Sequence, residues 1–269
     1  MGLAPTPEEE IAMFRQTGFE CFFTGWGYGS PIDKWKKCAN EQGMMYQSIH
    51  APFDKAAIMW KSREEAQNAI DELLACLHDC AENEVPIMVA HAFIGFKDHS
   101  PTEVGVENYE VVVREAERLG VKVAFENTEG EEYLAVLMEL SKVYSSVGFC
   151  WDTGHEMCYN YGKDMPGLYR DKLLCTHLND NLGIKDFGGE ITWHDDLHLL
   201  PFDGIADWDD IARRLVRSNF TAPLSFELGR GSKPARHEND LYGKMTNEEY
   251  LAEVYKRACR VARLVQKYR

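Results

Sequence analysis

The stretch "KLLCTHLNDN", residues 172–181, is the part of the sequence that most directly indicates the fold. Its first half is apolar and predicts a buried strand, whereas its second half brings His177, Asn179 and Asp180 in quick succession. Polar groups are costly to bury unless they are hydrogen-bonded or bound to an ion. A core strand that ends in this way predicts a site at its carboxyl end, to which other strands contribute.

The rest of the chain repeats the same alternation of a short apolar run and a longer segment of helical period. Strands are predicted at residues 19–25, 44–50, 86–92, 121–127, 147–152, 172–178, 196–200 and 223–228. The helices predicted between and after them include residues 62–82, 108–120, 131–143, 208–218 and 247–268. Such alternation is typical of parallel strands joined by crossover helices. Eight repeats predict an α/β protein with a single (β/α)8 TIM barrel, and we interpret residues 1–269 as one domain.

Composition narrows the classes of function. A net charge of -15 without a basic stripe argues against a nucleic-acid partner. No apolar run approaches the ~20 residues that a membrane helix needs, so no membrane partner is predicted. The eight cysteines are scattered without a C-x-x-C motif, and several lie in apolar strand-like runs. This pattern predicts reduced thiols in a cytoplasmic protein.

Seven polar residues fall at or near the carboxyl ends of predicted strands. They are His50, His91, Glu126, Asp152, His177, His198 and Glu227. In a closed parallel barrel these ends form one ring, which is where such enzymes carry their active sites. Each residue alone is more simply a hydrogen-bonded histidine or a helix cap; Asp152 in "WDTGH" is an example. Together they predict a metal site, because converging carboxylates repel one another unless a cation or a proton lies among them.

At this point the sequence resembles the xylose isomerase-like TIM barrels. That superfamily includes sugar isomerases and epimerases, inosose dehydratases and repair enzymes of the endonuclease IV type. The motifs that carry the resemblance are S-I-H-A-P at 48–52, F-E-N-T-E-G at 125–130, W-D-T-G-H at 151–155, T-H-L-N-D-N at 176–181, D-L-H-L-L-P at 196–201 and F-E-L-G at 226–229. They extend over nearly the whole chain, and their order and spacing are more specific than any one of them.

The resemblance implies a shared metal site made of Glu126, Asp152, His177 and Glu227. Such an oxygen-rich set suits one divalent ion, Mn²⁺ or Mg²⁺ in the first place, with Co²⁺ or Zn²⁺ as alternatives. In the isomerases and epimerases, the ion polarises a ketose carbonyl and stabilises the enediolate that follows loss of a neighbouring proton. Glu126 and Glu227 would be the two catalytic groups that remove and return this proton.

A second set of residues is predicted to bind a small carbohydrate substrate, a ketose, a sugar phosphate or a related polyol. Besides Arg230, these residues are His50, His155, Trp26, His91, Asn179, Asp196 and His198. Trp26 lies in a glycine-rich loop, where an aromatic side chain equally well covers the mouth of a barrel. Arg230 begins the long loop at residues 229–246, for which a lid, a phosphate site, an oligomer contact and a solvated connector all remain open. A homo-oligomer is compatible with the sequence.

Three alternatives remain beside the sugar isomerase. The repair-enzyme branch holds three zinc ions through nine ligands, and compatible types occur here at His50, His91, Glu126, Asp152, His155, His177, Asp196, His198 and Glu227. The acidic charge, and Phe202 where that branch favours glycine, argue against an endonuclease acting on abasic DNA. The other two are an inosose dehydratase-like lyase and a non-catalytic binding subunit. The latter would not need both glutamates.

Overall fold

The computed structural model describes residues 3–97, 99–184 and 191–269. Its strands are β1 (Cys21–Gly25), β2 (Met45–His50), β3 (Ile87–His91), β4 (Lys122–Glu126), β5 (Val147–Asp152) and β6 (Leu173–His177). Its helices are α1 (Pro7–Thr17), α2 (Ile32–Gln42), α3 (Arg63–Glu82), α4 (Glu103–Leu119), α5 (Glu131–Met138), α6 (Thr153–Cys158), α7 (Met165–Leu168), α8 (Trp208–Arg217), α9 (Asp240–Gly243) and α10 (Asn247–Tyr268). Short 3₁₀ helices cover Ile58–Trp60, Glu139–Lys142 and Arg170–Lys172. None of the described helices is both long and apolar enough to cross a membrane.

The strands follow one another in the sheet in chain order, from β1 to β6. Neighbouring strands from β1 to β5 pair in parallel. Almost every residue of β2 to β5 is buried, as expected for parallel strands that are covered on both faces. The register between β3 and β4 sets His91 directly beside Glu126, so neighbouring strands bring two predicted site residues together.

The chain separates into two compact units. The first consists of Met1–Ala12 and Glu20–Cys150, and the second of Met13–Phe19 and Trp151–Arg269. In the first unit, α3 begins with a capping box in which Ser62 and Glu65 satisfy each other's backbone N–H groups. Helix α4 packs closely against the 3₁₀ helix Ile58–Trp60 at Gly105, where a Cβ atom would lie 2.2 Å from the Trp60 ring. These contacts hold the loops that follow β2 and β3.

The second unit has its own apolar core under the carboxyl-terminal helix. Leu200, Tyr242, Tyr250 and Val254 are buried together, and partly buried Phe19, Leu228 and Met245 pack against them. The amphipathic helix α10 begins with a capping box formed by Thr246 and Glu249. The loop at residues 229–246 is therefore anchored by its own Tyr242 and Met245 to the same core that α10 covers.

The seventh predicted strand is not found where the sequence placed it. Among the described residues, 196–200 make only an isolated antiparallel bridge, in which Asp180 and Leu199 exchange backbone hydrogen bonds of 2.8 and 2.9 Å. The prediction was wrong because the alternating pattern of "DLHLL" belongs to a loop that folds back on residue 180. Residues 223–228, the eighth predicted strand, do not form a regular strand either. One backbone hydrogen bond joins them to the residue that follows β6, since Leu178 N donates to Ser225 O at 2.9 Å.

Candidate metal and substrate site

Two predicted histidines of the first unit converge on the carboxylate of a third predicted residue, Glu126. The side chain of Glu126 is fully buried, and its Oε2 lies 3.2 Å from His50 Nε2 and 3.4 Å from His91 Nε2. The Nδ1 atom of His50 lies 2.8 Å from Ala51 O, a carbonyl that can only accept. Neutral His50 therefore carries its proton on Nδ1 and turns a lone pair on Nε2 toward the carboxylate. Two electron-rich groups at this distance favour a proton or a metal ion between them.

An aromatic side chain that the sequence interpretation missed covers this histidine pair. The ring of Phe53 stacks on His91 with centroids 4.5 Å apart and meets His50 edge-on at 5.6 Å. Its side chain is nevertheless 43% exposed. The signal in the sequence was the position of Phe53, directly after the S-I-H-A-P motif, where a polar loop residue would be expected.

In the second unit, Asp152, His177 and Glu227 form a second cluster. Each offers a ligand atom, and these atoms lie within 4.8 Å of one another. His177 Nδ1 is 3.3 Å from Glu227 Oε2. Asp152 and His177 are completely buried, whereas the side chain of Glu227 is 31% exposed. Asp152 and His177 are thus the buried members of the cluster, and the Glu227 carboxylate remains accessible to solvent.

Asp152 is held in position by neighbouring groups from both sides. Its Oδ1 accepts a 2.6 Å hydrogen bond from His155 N, which caps α6, and its Oδ2 accepts one of 2.8 Å from Asn179 Nδ2. The helix cap and the predicted metal ligand are therefore the same residue. The approach of Asn179 requires glycine at position 154, since a Cβ atom there would lie 1.9 Å from Asn179 Oδ1. Asn179 thus orients Asp152.

A third cluster in the second unit joins His155, Asp196 and His198. Asp196 Oδ2 is 2.7 Å from His198 Nε2 and 3.5 Å from His155 Nε2. Burial favours neutral Asp196, but the charges of His198 and His155 outweigh it and hold the pKa of this carboxyl well below its usual range. Burial likewise favours neutral His198, but Asp196 and Glu227 prevail and raise its pKa to about 9.

The backbone of His198 supports a functional role for this cluster. Its φ of 48° lies in the left-handed region, which a residue with a side chain occupies at a cost. The conformation is retained in a setting where His198 Nδ1 lies 3.1 Å from Glu227 O and Gly229 N donates to His198 O. The strained turn therefore joins the loop after β6 to the segment that carries Glu227.

Two predicted substrate residues, Trp26 and Arg230, form hydrogen bonds with other residues of the chain. The Trp26 indole donates to Asp79 of α3 and packs edge-on against Tyr28, so its N–H is committed to a helix. Arg230 donates from all three guanidinium nitrogens to Tyr242 O, Met245 O and Asn247 Oδ1. The contacts of Arg230 hold the 229–246 loop together, and its contact with substrate stays a prediction.

Asp180, which belongs to the stretch "KLLCTHLNDN", also has a structural role. Its carboxylate accepts four hydrogen bonds, from the backbone N–H groups of Asn181, Phe202 and Ala206 and from the indole of Trp208. It fastens the loop before α8. Trp208, which begins that helix, is buried with it.

Comparison with known proteins identifies the family to which this arrangement belongs. The model of the xylose isomerase-like TIM barrel family matches residues 11–251. The chain belongs to this family. The match confirms the TIM-barrel fold class predicted from the sequence.

Members of known structure share the fold at low sequence identity. The IOLI protein, solved with a bound zinc atom, superposes with a TM-score of 0.71 and 19% identity over 97% of this chain and 94% of that one. D-psicose 3-epimerase of Clostridium cellulolyticum H10, solved with D-tagatose, gives 0.66 and 15% over 98% and 94%. The uncharacterized protein y4fM of Sinorhizobium fredii is 38% identical over 113 residues, 40% of this chain but only 33% of y4fM. The chain thus matches about a third of that curated relative.

Proposed function

We propose that the protein is a divalent-metal-dependent isomerase or epimerase that moves a proton between carbon atoms of a small ketose. The observation that carries the proposal is the cluster of Asp152, His177 and Glu227, whose ligand atoms lie within 4.8 Å of one another in a largely buried place. Sugar epimerases among the structures of similar fold support the substrate class.

The donor set fits a divalent ion. Two carboxylates this close to each other repel, and a cation removes that repulsion. Glu126 is the proposed fourth ligand, because it ends β4 as Asp152 ends β5. Three carboxylates and one imidazole favour Mn²⁺ or Mg²⁺, and Co²⁺ and Zn²⁺ are also compatible with them. Asn179 then serves to orient Asp152, as outer hydrogen-bond partners commonly do for metal ligands.

The chemistry divides between the ion and the chain. A bound divalent ion would polarise the carbonyl of the ketose and stabilise negative charge on its oxygen. Glu126 and Glu227 are the proposed bases that remove and return the proton of the adjacent carbon. Glu227 is partly exposed and can reach a substrate that enters from outside, whereas Glu126 is fully buried. The two proposed bases thus differ in solvent exposure, which suits a reaction in which one removes the proton and the other returns it.

Histidines beside buried carboxylates in each unit are the proposed substrate contacts. His155 and His198 lie on either side of Asp196, and their rings are 5.6 Å apart. His50 and His91 occupy the corresponding position around Glu126. Imidazoles can donate to hydroxyl oxygens or accept from them, which suits a polyhydroxylated ligand.

The direct test is deuterium exchange into the substrate. Protein stripped with a chelator and reloaded with Mn²⁺, Mg²⁺, Co²⁺ or Zn²⁺ is incubated in D₂O with a panel of ketopentoses, ketohexoses and their phosphates, and C–H signals are followed by NMR. We expect one substrate to lose a C–H signal and a new isomer to appear, only with metal present. A folded, metal-loaded protein that exchanges no proton on any member of the panel would contradict the proposal.

Variants assign the two bases. Glu126→Gln and Glu227→Gln should each lower the exchange rate by about 10²–10⁴-fold, since each removes a group that transfers the proton. Metal content must be measured in both, because each substitution also alters a ligand. Glu139→Gln, a change at the surface in a 3₁₀ helix, is the matched control and should leave exchange unaltered.

A second candidate is a zinc phosphodiesterase of the endonuclease IV type. The observation that favours it is the presence of two further clusters of three ligand-type residues, His50 with His91 and Glu126, and His155 with Asp196 and His198. This candidate predicts three zinc ions per chain and nicking of DNA at an abasic site. Absence of nicking by protein loaded to saturation with zinc would exclude this candidate.

A further inference from the structure

A lysine lies against the cluster of His155, Asp196 and His198. Lys233 Nζ is 3.6 Å from Asp196 Oδ2, the same oxygen that lies 2.7 Å from His198 and 3.5 Å from His155. The lysine side chain is only 24% exposed, and its ammonium lies 5.4 Å from the centroid of the Trp193 ring. Three groups that can carry positive charge therefore share one carboxylate oxygen.

The loop holds Lys233 in this place. The preceding residue, Ser232, donates to Asp240 Oδ1 at 2.7 Å and accepts from Asn239 N at 3.0 Å. Arg236 lies 3.4 Å from His194 O, so the loop is also bonded to the segment that carries Asp196. Together with the Arg230 contacts, these bonds give Lys233 a defined position next to the cluster.

A divalent ion and an ammonium group compete for the same position. An ion held by Asp196 with two histidines would lie next to Lys233 Nζ, and like charges in a mostly buried place repel strongly. The carboxylate would also have to divide its negative charge between them. Lysine supplies one positive charge without a metal, and its stem is long enough to reach the site from the loop.

We propose that Lys233 is the resident cation of the His155–Asp196–His198 cluster and takes the place of a divalent ion there. The proposal rests on the proposed function only in assuming that a metal is bound at Asp152, His177 and Glu227. Within the described part of the chain nothing donates to Asp196 Oδ1, which is buried and can accept from a hydroxyl group.

The test is a count of bound zinc. Metal-free wild-type protein, Lys233→Met and Lys244→Met are titrated with Zn²⁺, passed through a desalting column and measured by plasma mass spectrometry. We expect Lys233→Met to retain one more zinc ion per chain than the wild type. Lys244→Met, which removes an exposed cation of the same loop, should match the wild type.

A second variant locates the additional ion. In the Lys233→Met background, His155→Ala should abolish the gain, whereas in the wild-type background it should leave the zinc count unchanged. Loss of zinc from wild type on His155→Ala would overturn the proposal, because it would show an ion at the cluster despite the lysine. An unchanged count in a Lys233→Met protein of native circular dichroism would overturn it as well. Neither outcome depends on sugar turnover, so failure of the proposed reaction is recognised separately.

Discussion

At the scale of single residues, the strongest constraint is the contact between Gly154 and Asn179. Glycine at this position leaves the space into which the Asn179 amide fits, and that amide donates to Asp152. A methyl group would have to displace Asn179, because the clash of 1.9 Å is with its Oδ1 atom. Asp152 would keep its bond from the α6 backbone but lose the second partner that fixes its plane.

We therefore expect Gly154→Ala to weaken binding of the divalent ion by about 10–100-fold, the usual effect of losing a group that orients a ligand. The measurement is competition with a chromophoric chelator. Gly231→Ala is the control, since a Cβ atom there meets no other heavy atom within 4 Å. Equal affinity in the two variants would show that Asn179 does not orient Asp152.

The opening stretch shows how far residue-level prediction reaches. Burial of His177, Asn179 and Asp180 at the end of a strand was predictable from the apolar run before them, and all three are fully buried. Their roles were not, because their partners are distant in sequence. Asp180 binds Phe202, Ala206 and Trp208, more than twenty residues away, whereas Asn179 binds Asp152. The local sequence does not distinguish a residue that anchors a loop, such as Asp180, from one that bonds to a proposed metal ligand, such as Asn179.

At the scale of elements, the periodicity of apolar residues predicted helices and strands correctly where the tertiary packing follows the same period. The predicted helix at residues 247–268 coincides with α10, and the predicted strand at 147–152 coincides with β5. It failed at residues 196–200, where the alternation of polar and apolar residues belongs to a loop that pairs antiparallel with residue 180. A short run of alternating residues has the same pattern in a strand and in such a loop, and only long-range hydrogen bonds distinguish them.

The 229–246 loop provides a test of element-level reasoning. Arg230 bonds to Tyr242, Met245 and Asn247, which closes the loop onto the start of α10. Each hydrogen bond from a charged group contributes about 1.5–3 kcal/mol in favourable cases, so we expect Arg230→Gln to lower the free energy of unfolding by several kcal/mol. The loop should also become sensitive to trypsin at Lys233 and Arg236.

The measurements are thermal unfolding and mapping of tryptic fragments. Arg263→Gln, at an exposed position of α10, is the control and should change neither. If Arg230→Gln remained as stable and as protease-resistant as this control, while KM for the sugar rose, Arg230 would be the substrate contact that the sequence predicted.

At the scale of the whole molecule, a net charge of -15 coexists with carboxylates buried beside one another. Asp152 lies with Glu227 in one cluster, and Asp196 with two histidines in another. The family, and with it the barrel, could be predicted from motif order, because seven of the eight predicted strands end in a polar residue of metal-ligand type. The grouping into clusters could not, since it depends on which side chains turn toward the same point.

This charge arrangement predicts that a divalent ion stabilises the fold. An ion that binds only the folded chain adds about 2.7 kcal/mol at a concentration a hundred times its Kd, and each kcal/mol raises Tm by roughly 2–4 °C in a chain of this size. Differential scanning fluorimetry of chelator-treated protein should therefore show a rise in Tm with at least one of Mn²⁺, Mg²⁺, Co²⁺ and Zn²⁺. Asp152→Asn should lose most of that rise, because the remaining donors would hold the ion with one negative charge fewer. Asp195→Asn, which removes the charge of an acceptor for a single backbone N–H in a nearby loop, should keep it. A Tm indifferent to all four ions would mean that the buried carboxylates are neutralised by protons and by histidine, and the metal-dependent reaction would then have no centre.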